Sequence, residues 1–378
     1  MKKKRYIVMV CTLVSLIFSA TRAEASSLSQ TDSPPEVPAD QEEATEGFDV
    51  RSFILHHLAD SYEWQIVSNG KKRLSIPLPV ILYSRQSGWH LFLSSRFQNG
   101  TAAYRGFHIA EEGKYEGKIV ESDNTQNVTR PLDLSLTRNA ASLLISSLLL
   151  ILIITGIARI LEREPLKGKK GFAGMMEMFI LHIIDTVIKP TVGKDYRRYA
   201  PFLLTIFFFI FFNNLLGILP FFPGGANVTG NIAVTMVLAV ASFLMINLTG
   251  TKTYYRDIFW PDVPLFLKVP FPLMPLIEIV GLFTKPFALM IRLFANIMAG
   301  HAIVLGLISI IFITASMGAA INRSMTAISV LFTIFIDFVE LLVAYIQAYV
   351  FTLLSAVFIG MARVREPEPN TKTIQPYQ

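Results

Sequence analysis

Several apolar segments, each long enough to cross a lipid bilayer, restrict the fold of this chain more than any other feature of its sequence. A helix of about 20 apolar residues spans the roughly 30 Å hydrocarbon core of a bilayer. We therefore predict an all-α polytopic membrane protein with about five transmembrane helices. These cover Leu143–Ile160, Pro201–Leu219, Asn231–Leu248, about Leu276–Thr314 and about Met325–Met361. The last two exceed the usual length, so we expect long, strongly tilted helices embedded in the membrane.

The composition agrees with a membrane protein, because 52% of the residues are hydrophobic and only 16% are charged. Soluble domains carry about 25% charged residues. The net charge of +6 would suggest a nucleic-acid partner in a soluble protein. Here the Lys and Arg residues collect in loops on one side of the membrane, as insertion favours. We therefore expect no nucleic-acid partner.

The positions of the basic residues predict the orientation of the chain in the membrane. Cytoplasmic loops carry an excess of Lys and Arg. The amino end is therefore predicted outside and the carboxyl end in the cytoplasm, and Arg323 is the one loop residue that departs from this bias. The cytoplasmic residues are Arg159, Arg163, Lys167, Lys169 and Lys170 after the first span, Lys252 and Arg256 after the third, and Arg363 and Arg365 in the tail.

One apolar segment, at 171–193, is interrupted by charged and titratable residues and is predicted to behave differently from the spans. Its sequence is "GFAGMMEMFILHIIDTVIKPTVG", with Glu177, His182 and Asp185 between apolar residues at helical spacing. Helices of this kind lie in the membrane interface. We therefore expect an amphipathic helix along the membrane surface.

Composition shifts divide the chain into five parts. Residues 1–25 have the basic end, short apolar core and Ala23-Glu24-Ala25 run of a signal peptide, and an uncleaved anchor helix is the alternative. Residues 26–47, rich in Ser, Pro and acid, are predicted to be a disordered linker. Residues 48–137 contain short β-leaning runs and predict a small external domain of mostly β character. Residues 138–362 form the transmembrane domain, and 363–378 the cytoplasmic tail.

The sequence offers no metal, cofactor or nucleotide site. Cys11 is the single cysteine, so no disulfide can form within the chain and no thiolate metal site exists. The spacing of the histidines in the external domain matches no metal-binding pattern; they are His56, His57, His90 and His108. No G-x-x-x-x-G-K-[ST] run occurs, so ATP chemistry would belong to partner proteins. We expect no catalytic site of its own in this chain.

The fourth and fifth spans carry more polar residues than helix packing requires: Glu278, Lys285, Arg292, Asn296 and His301 in the fourth, and Asp337, Glu340 and Gln347 in the fifth. An arginine at the centre of a span costs about 2.5–3.5 kcal/mol even on lenient insertion scales. Intramembrane ionisable residues therefore mark ion pathways by default. The alternative is that Arg292 snorkels, or pairs with a buried acid for helix packing.

An antiparallel arrangement of these two spans places their polar residues in layers. If Arg292 lies level with Gln347, then His301 and Glu340 meet one layer further outward, by the 1.5 Å rise of a helix. Glu278 falls about 21 Å inward of Arg292. His and Glu can relay protons near neutral pH, whereas Arg does not deprotonate in proteins. Arg292, as a fixed positive charge between two polar routes, would block the passage of other cations until a mobile carboxylate neutralises its charge.

These residues resemble a known family. Subunit a of the F-type ATP synthases is resembled by three runs of the last two spans: "IEIVGLFTKP", "PFALMIRLFANIMAGH" and "VELLVAYIQAYVFTLLSAVFIGMA". The two preceding spans resemble the same family in the run "APFLLTIFFFIFFNNLLGILPFFPGGANVTGNIAVT". The resemblance covers roughly residues 138–362. The combination of R-L-F-A-N-x-x-A-G-H with Q-A-Y-V-F-T-L-L, in this order, is highly specific.

The resemblance implies a role for individual residues. Arg292 matches the family's essential arginine, which stands in the catalytic position between two half-channels that lead to a rotating ring of c subunits. Six residues are implied in the ion pathway: Asn296, His301, Glu340, Gln347, Glu278 and Asn231. The implied partners are the c-subunit ring, the b-subunit peripheral stalk, the remaining ATP synthase subunits and the lipid bilayer. The implied location is a bacterial inner membrane with a periplasmic amino end. Either H⁺ or Na⁺ could be the coupling ion.

The chain departs from the family at its amino end, since many members have only a short segment before the first span. The residues assign no role to the predicted external domain at 48–137.

An alternative function for the whole chain is a secondary transporter with a midplane substrate site, which predicts an internal repeat. No such repeat is present, because the second and third spans do not resemble the fourth and fifth. An intramembrane hydrolase is disfavoured, since the spans contain no H-E-x-x-H or G-x-S-x-G run.

Overall fold

The structure is a computed structural model, and it describes most of the chain outside its two ends. The described residues are 50–69, 72–85, 87–100, 102–110, 115–122, 128–163, 168–219, 224–259 and 273–363. The predicted signal peptide, the predicted linker and residues 364–378 of the predicted tail lie outside this set.

The amino-terminal part is a small β-rich region, as the sequence predicts. It begins with helix α1 (Val50–Leu58), and a 3-10 helix (Ser94–Gly100) follows its fourth strand. The strands are β1 (Glu63–Asn69), β2 (Lys72–Pro77), β3 (Pro79–Ser84), β4 (Gly88–Leu93), β5 (Phe107–Ile109), β6 (Ile119–Ser122), β7 (Val128–Thr129) and β8 (Leu132–Asp133). They form three small antiparallel sheets: one pairs β1 with β2, one has the strand order β4-β3-β8, and one has the order β5-β6-β7.

The β-rich region has its own core, into which alternate residues of β3 point. In β3, Val80 and Leu82 point inward and are fully buried, as expected of residues two apart on one sheet face. They pack with Tyr62, Phe97 and Phe107. Trp64 and Leu78 instead belong to the core of the helical bundle, so the two parts of the protein share buried contacts.

Five helical segments are long and apolar enough to cross a membrane, in agreement with the predicted polytopic fold. The individual helices are α2 (Arg138–Arg163), α3 (Gly171–Ile183), α4 (Lys189–Val192), α5 (Tyr196–Ile218), α6 (Ile232–Thr249), α7 (Lys252–Phe259), α8 (Leu273–Thr314) and α9 (Ala319–Ala362). A π-helical turn (Ile184–Ile188) joins α3 to α4, and a 3-10 turn (Gly193–Asp195) joins α4 to α5. With 42 and 44 residues, α8 and α9 are the two long helices predicted.

The segment at 171–193, predicted as an amphipathic helix along the membrane surface, packs one face against the bundle. The ring centroids of Phe179 on α3 and Phe211 on α5 are 6.4 Å apart. One continuous helix would separate these residues by about 48 Å, so the chain reverses direction between them, at Gly193 with its positive φ of 72°. Phe179 also contacts Tyr345 of α9. Part of the apolar surface of this segment thus covers α5 and α9, while Phe172 and Met178 stay exposed.

The two long helices are the least covered part of the bundle. Only 17% of the apolar window of α8 or of α9 is buried, against 39–56% in the other three segments. Large apolar side chains such as Phe283, Phe287, Phe335 and Phe338 are 60–70% exposed. A broad apolar face of α8 and α9 is therefore available to lipid or to a partner protein.

Candidate functional site

A histidine and a glutamate meet between the two long helices. Nδ1 of His301 on α8 lies 3.2 Å from Oε1 of Glu340 on α9, and the side chains are 17% and 6% exposed. The contact lacks the alignment of a hydrogen bond, so Oε1 keeps its capacity to accept one. Gly300 makes room for the carboxylate, because a Cβ there would lie 3.0 Å from the same oxygen. The predicted neighbours His301 and Glu340 are thus in contact.

A second polar contact lies further along the same pair of helices. Nδ2 of Asn296 donates a hydrogen bond to Oε1 of Gln347 at 2.9 Å, and Gln347 is 3% exposed. From the first contact to the second, residue numbers fall along α8 and rise along α9, which shows that the helices are antiparallel, as predicted. We call the end of the bundle that carries the β-rich region the outer end. The Asn296–Gln347 layer lies inward of the His301–Glu340 layer.

Arg292 lies one helical turn inward of Asn296 and has an exposed side chain on α8. Among the described residues it makes no hydrogen bond or ion pair. Arg292 is predicted level with Gln347, and in the described part of the chain the Gln347 amide is bonded by Asn296 and not by Arg292. Its guanidinium is available at the uncovered face of the long helices.

Glu278 lies at the inner end of the bundle, in a cavity of about 400 Å³ between α6, α7, α8 and α9. Lys285, Asp257, Tyr254 and Asn247 also line this cavity, with Phe243, Phe358 and other apolar residues between them. Nζ of Lys285 lies 5.5 Å from the ring centroid of Phe358. The cavity therefore combines two acids, an amine and a phenol on the inward side of Arg292.

A group of buried polar residues around His301 was not predicted from the sequence. A Cβ at Gly217 of α5 would lie 3.6 Å from Nε2 of His301. Close by, the Asn214 amide oxygen accepts a hydrogen bond from Thr229 at 2.6 Å, and its Nδ2 donates to the Ala344 carbonyl at 3.5 Å. The signal was present in the sequence as two adjacent asparagines inside the apolar run "FFNNLLG".

Asn231, predicted in the ion pathway, caps a helix. Its Oδ1 accepts a hydrogen bond from the Ala233 N–H at 3.0 Å and so satisfies a free donor at the start of α6. No described contact joins it to His301 or Glu340. Asp337, a further acid of the fifth span, lies one helical turn from Glu340 and belongs to the same layer.

Comparisons with known proteins identify similar sequences. The family model described as "ATP synthase A chain" matches residues 143–360, and one described as "Domain of unknown function (DUF8433)" matches residues 53–134. The chain is 40% identical over 240 residues to "ATP synthase subunit a" of Chloroherpeton thalassium, covering 62% of this chain and 68% of the relative. It is 41% identical over 243 residues to "ATP synthase subunit a 2" of Chlorobaculum tepidum (61% and 64%). It is 39% identical over 239 residues to "ATP synthase subunit a" of Myxococcus xanthus (61% and 74%).

Proposed function

This chain belongs to the ATP synthase A chain family, and from that membership we propose that it is the ion-translocating stator subunit, subunit a, of a rotary F-type ATP synthase. It is a multi-pass membrane protein of the proton-translocating membrane sector. It supplies no nucleotide chemistry. Its task is to pass ions between the two sides of the membrane and the rotor.

The two sides of Arg292 would then be two half-channels. The outer one runs by way of Glu340 and His301, with Gln347 and Asn296 beneath them. The inner one is the cavity that holds Glu278 and Lys285. The observation that carries this proposal is the position of the exposed Arg292 between the His301–Glu340 contact and that cavity.

The exposed arginine suits a rotor that presents carboxylates to the uncovered face of α8 and α9. A carboxyl group in a low-dielectric setting prefers to keep its proton, and a cation within about 4–6 Å favours the ionised form by about 1–3 pKa units. Arg292 would release the proton of each arriving carboxyl group into one path. It would also repel protons that could otherwise cross directly between the paths.

The proposed partners follow from membership of the complex. They are a ring of c subunits against the uncovered face of the long helices, a peripheral stalk of b subunits, and the remaining ATP synthase subunits. The proposed location is a bacterial inner membrane, with the β-rich region in the periplasm and the carboxyl end in the cytoplasm. The basic residues after α2 and at the end of α9 support this orientation.

Extraction in a mild detergent tests the function directly. The chain should copurify with a small two-helix protein that forms rings, and vesicles carrying the complex should acidify on addition of ATP. Repeating the assay with and without Na⁺ distinguishes H⁺ from Na⁺ as the coupling ion. A chain that purifies alone and exchanges a solute across vesicles would support the secondary transporter and overturn the proposal.

A further inference from the structure

A loop of the β-rich region is attached to the outer end of α2. Oδ1 of Asp60 accepts the Asn139 N–H at 3.1 Å, and the Ser61 carbonyl accepts the Arg138 N–H at 2.8 Å. Nη2 of Arg138 in turn donates to the Ala59 carbonyl at 3.1 Å. These contacts satisfy donors that the first turn of a helix leaves free. The loop at 59–61 therefore fixes both the backbone and the guanidinium at the start of α2.

The same region also contacts α8 at its outer end. The rings of Phe53 on α1 and Phe312 on α8 are 5.9 Å apart. The β-rich region thus joins α2 to the long helix that carries His301. It therefore contacts the outer end of the bundle at two separate places.

From this contact, one face of α2 leads into the bundle as a line of small polar residues. Asn139, Ser142 and Ser146 are spaced three and four residues apart, so they share a helix face, and all three are at most 8% exposed. Oγ of Ser146 donates to Oδ1 of Asn213 on α5 at 2.7 Å. Oδ1 of Asn139 is buried and has no hydrogen-bond partner within the described protein. Buried amide oxygens are nearly always bonded, to water where protein offers no donor.

This polar face reaches the level of His301. The helices α2 and α5 are antiparallel, and Ser146 of α2 meets Asn213 of α5. Gly217, one turn further outward on α5, lies against His301. Ser142, one turn outward of Ser146, is then level with His301, and Arg138 lies about 6 Å above it.

Charges at the start of α2 act on this path. The Arg138 guanidinium is close enough to His301 to interact with it electrostatically. The Asp60 carboxylate interacts in the same way with Arg138. A cation at the mouth of a narrow polar path lowers the local concentration of protons, and a nearby carboxylate offsets it.

We propose that the outer proton path opens at the junction of the β-rich region with α2, where Asp60 offsets the charge of Arg138, and that protons reach His301 and Glu340 along the Asn139–Ser142–Ser146 face. This rests on the proposed function. It gives the β-rich region, which matches a family of unknown function, a role in ion entry. Asp60 and Arg138 are positioning residues here, since they act through the field at the mouth of the path.

A double-mutant cycle in the complete complex separates this charge effect from a structural one. Asp60→Asn keeps Oδ1 for the Asn139 N–H but removes the charge, and should slow ATP-driven proton pumping by about three- to tenfold. The double variant Asp60→Asn/Arg138→Gln removes both charges and should return to within about twofold of the wild type, because the pair is again neutral. Glu121→Gln removes the same charge from β6 of the same region and should pump as the wild type does.

Two results would overturn this inference. One is wild-type pumping by Asp60→Asn. The other is a double variant slower than Asp60→Asn, which would show that the two residues serve only to attach the domain. If the wild-type complex pumps protons but the variants give either of these results, only the proposed path is wrong. If the wild-type complex does not pump protons, the proposed function itself is wrong.

Thiol labelling gives a second test that does not depend on pumping. In a Cys11→Ser background, Ser142→Cys should react with a small cationic methanethiosulfonate reagent added from the outer side. Leu144→Cys, two residues further on and 41% exposed on the apolar side of α2, should react at least about tenfold more slowly, since thiolate formation needs water. Equal rates at the two positions would show that this face holds no aqueous path.

Discussion

Nδ1 of His301 and Oε1 of Glu340 are 3.2 Å apart, on two antiparallel helices that each exceed 40 residues. Both groups exchange protons, and the carboxylate is nearly inaccessible to solvent. Gly300 precedes the histidine and leaves the space that the carboxylate occupies. This contact places two proton-relay groups side by side on the outer side of Arg292, whose guanidinium does not release its proton.

Glu340→Gln should slow proton flow without uncoupling it from ATP. The amide keeps the size of the side chain but cannot carry a proton, and a well-placed acid–base group contributes about 10²–10⁴-fold to a transfer step. We expect at least a tenfold lower rate of ATP-driven acidification and an unchanged passive leak. The exchange variant His301→Glu/Glu340→His should recover part of the rate. Native pumping by Glu340→Gln would show that Glu340 is a packing residue.

Gly300→Ala tests whether the close approach of Glu340 matters. The added methyl would lie 3.0 Å from Oε1 and 3.2 Å from the carboxyl carbon, so the carboxylate must shift by a few tenths of an ångström. Since a displacement of 1 Å can cost about 10²-fold in a transfer step, we expect proton pumping roughly threefold slower. Gly306→Ala is the matched control, because its Cβ would meet no atom within 4 Å on the same helix. Equal rates for the two variants would argue against a fitted contact.

The sequence contains enough information to predict the five apolar segments and the His301–Glu340 layer, because span length and the 1.5 Å rise of a helix are local, regular properties. It did not predict that Asn296, and not Arg292, bonds Gln347, since both lie within about 3 Å of the Gln347 level and only the side-chain directions decide between them. Nor did it predict the packing of Phe179 on Phe211, which depends on a chain reversal at Gly193. The contact of Asp60 with Asn139 joins residues 79 positions apart, beyond any periodic pattern.

The β-rich region should lose stability in alkaline solution. Burial, together with the neighbouring Asp133 carboxylate, raises the pKa of Tyr62 well above its usual value, and the phenol donates to Oδ2 of Asp133 at 2.5 Å. Below pH about 10 the phenol is protonated in both states, so its contribution is complete. As the pH rises further, the unfolded chain releases this proton while the folded region retains it, so the free energy of unfolding falls.

This pH effect can be measured on the full chain by the fluorescence of Trp64, which is 3% exposed, or by limited proteolysis. Tyr62→Phe should lower stability at neutral pH by about 1.5–3 kcal/mol, the value of a hydrogen bond to a charged group. It should also flatten the loss of stability above about pH 10. An alkaline transition of unchanged steepness in this variant would mean that Tyr62 is not its source.

Cysteine labelling tests the proposed orientation. In a Cys11→Ser background, Ser87→Cys lies in the exposed turn between β3 and β4 and should react with an impermeant maleimide added from the periplasmic side. Lys252→Cys, exposed at the start of α7, should react only after the cytoplasmic side is opened, as the basic residues there predict. Labelling in the reverse pattern would overturn the topology and with it the assignment of outer and inner paths.

Arg292 should be required for coupling but not for assembly. Its side chain is exposed and makes no hydrogen bond or ion pair within the described protein, so the fold does not depend on it. Arg292→Lys keeps a charge but places it on a compact ammonium group that can lose its proton when buried. We expect it to abolish coupled ATP synthesis while the complex still copurifies with the ring.

Arg292→Ala should also abolish synthesis, and in addition should let protons leak passively through the membrane sector, because no fixed cation then separates the two paths. Arg323→Ala removes an exposed arginine from the outer part of α9 and serves as the control, with native synthesis and no leak. The measurement is ATP synthesis and passive proton leak in reconstituted vesicles that carry each variant. Substantial synthesis by Arg292→Ala would show that the arginine is structural, and the two half-channels would then need another barrier.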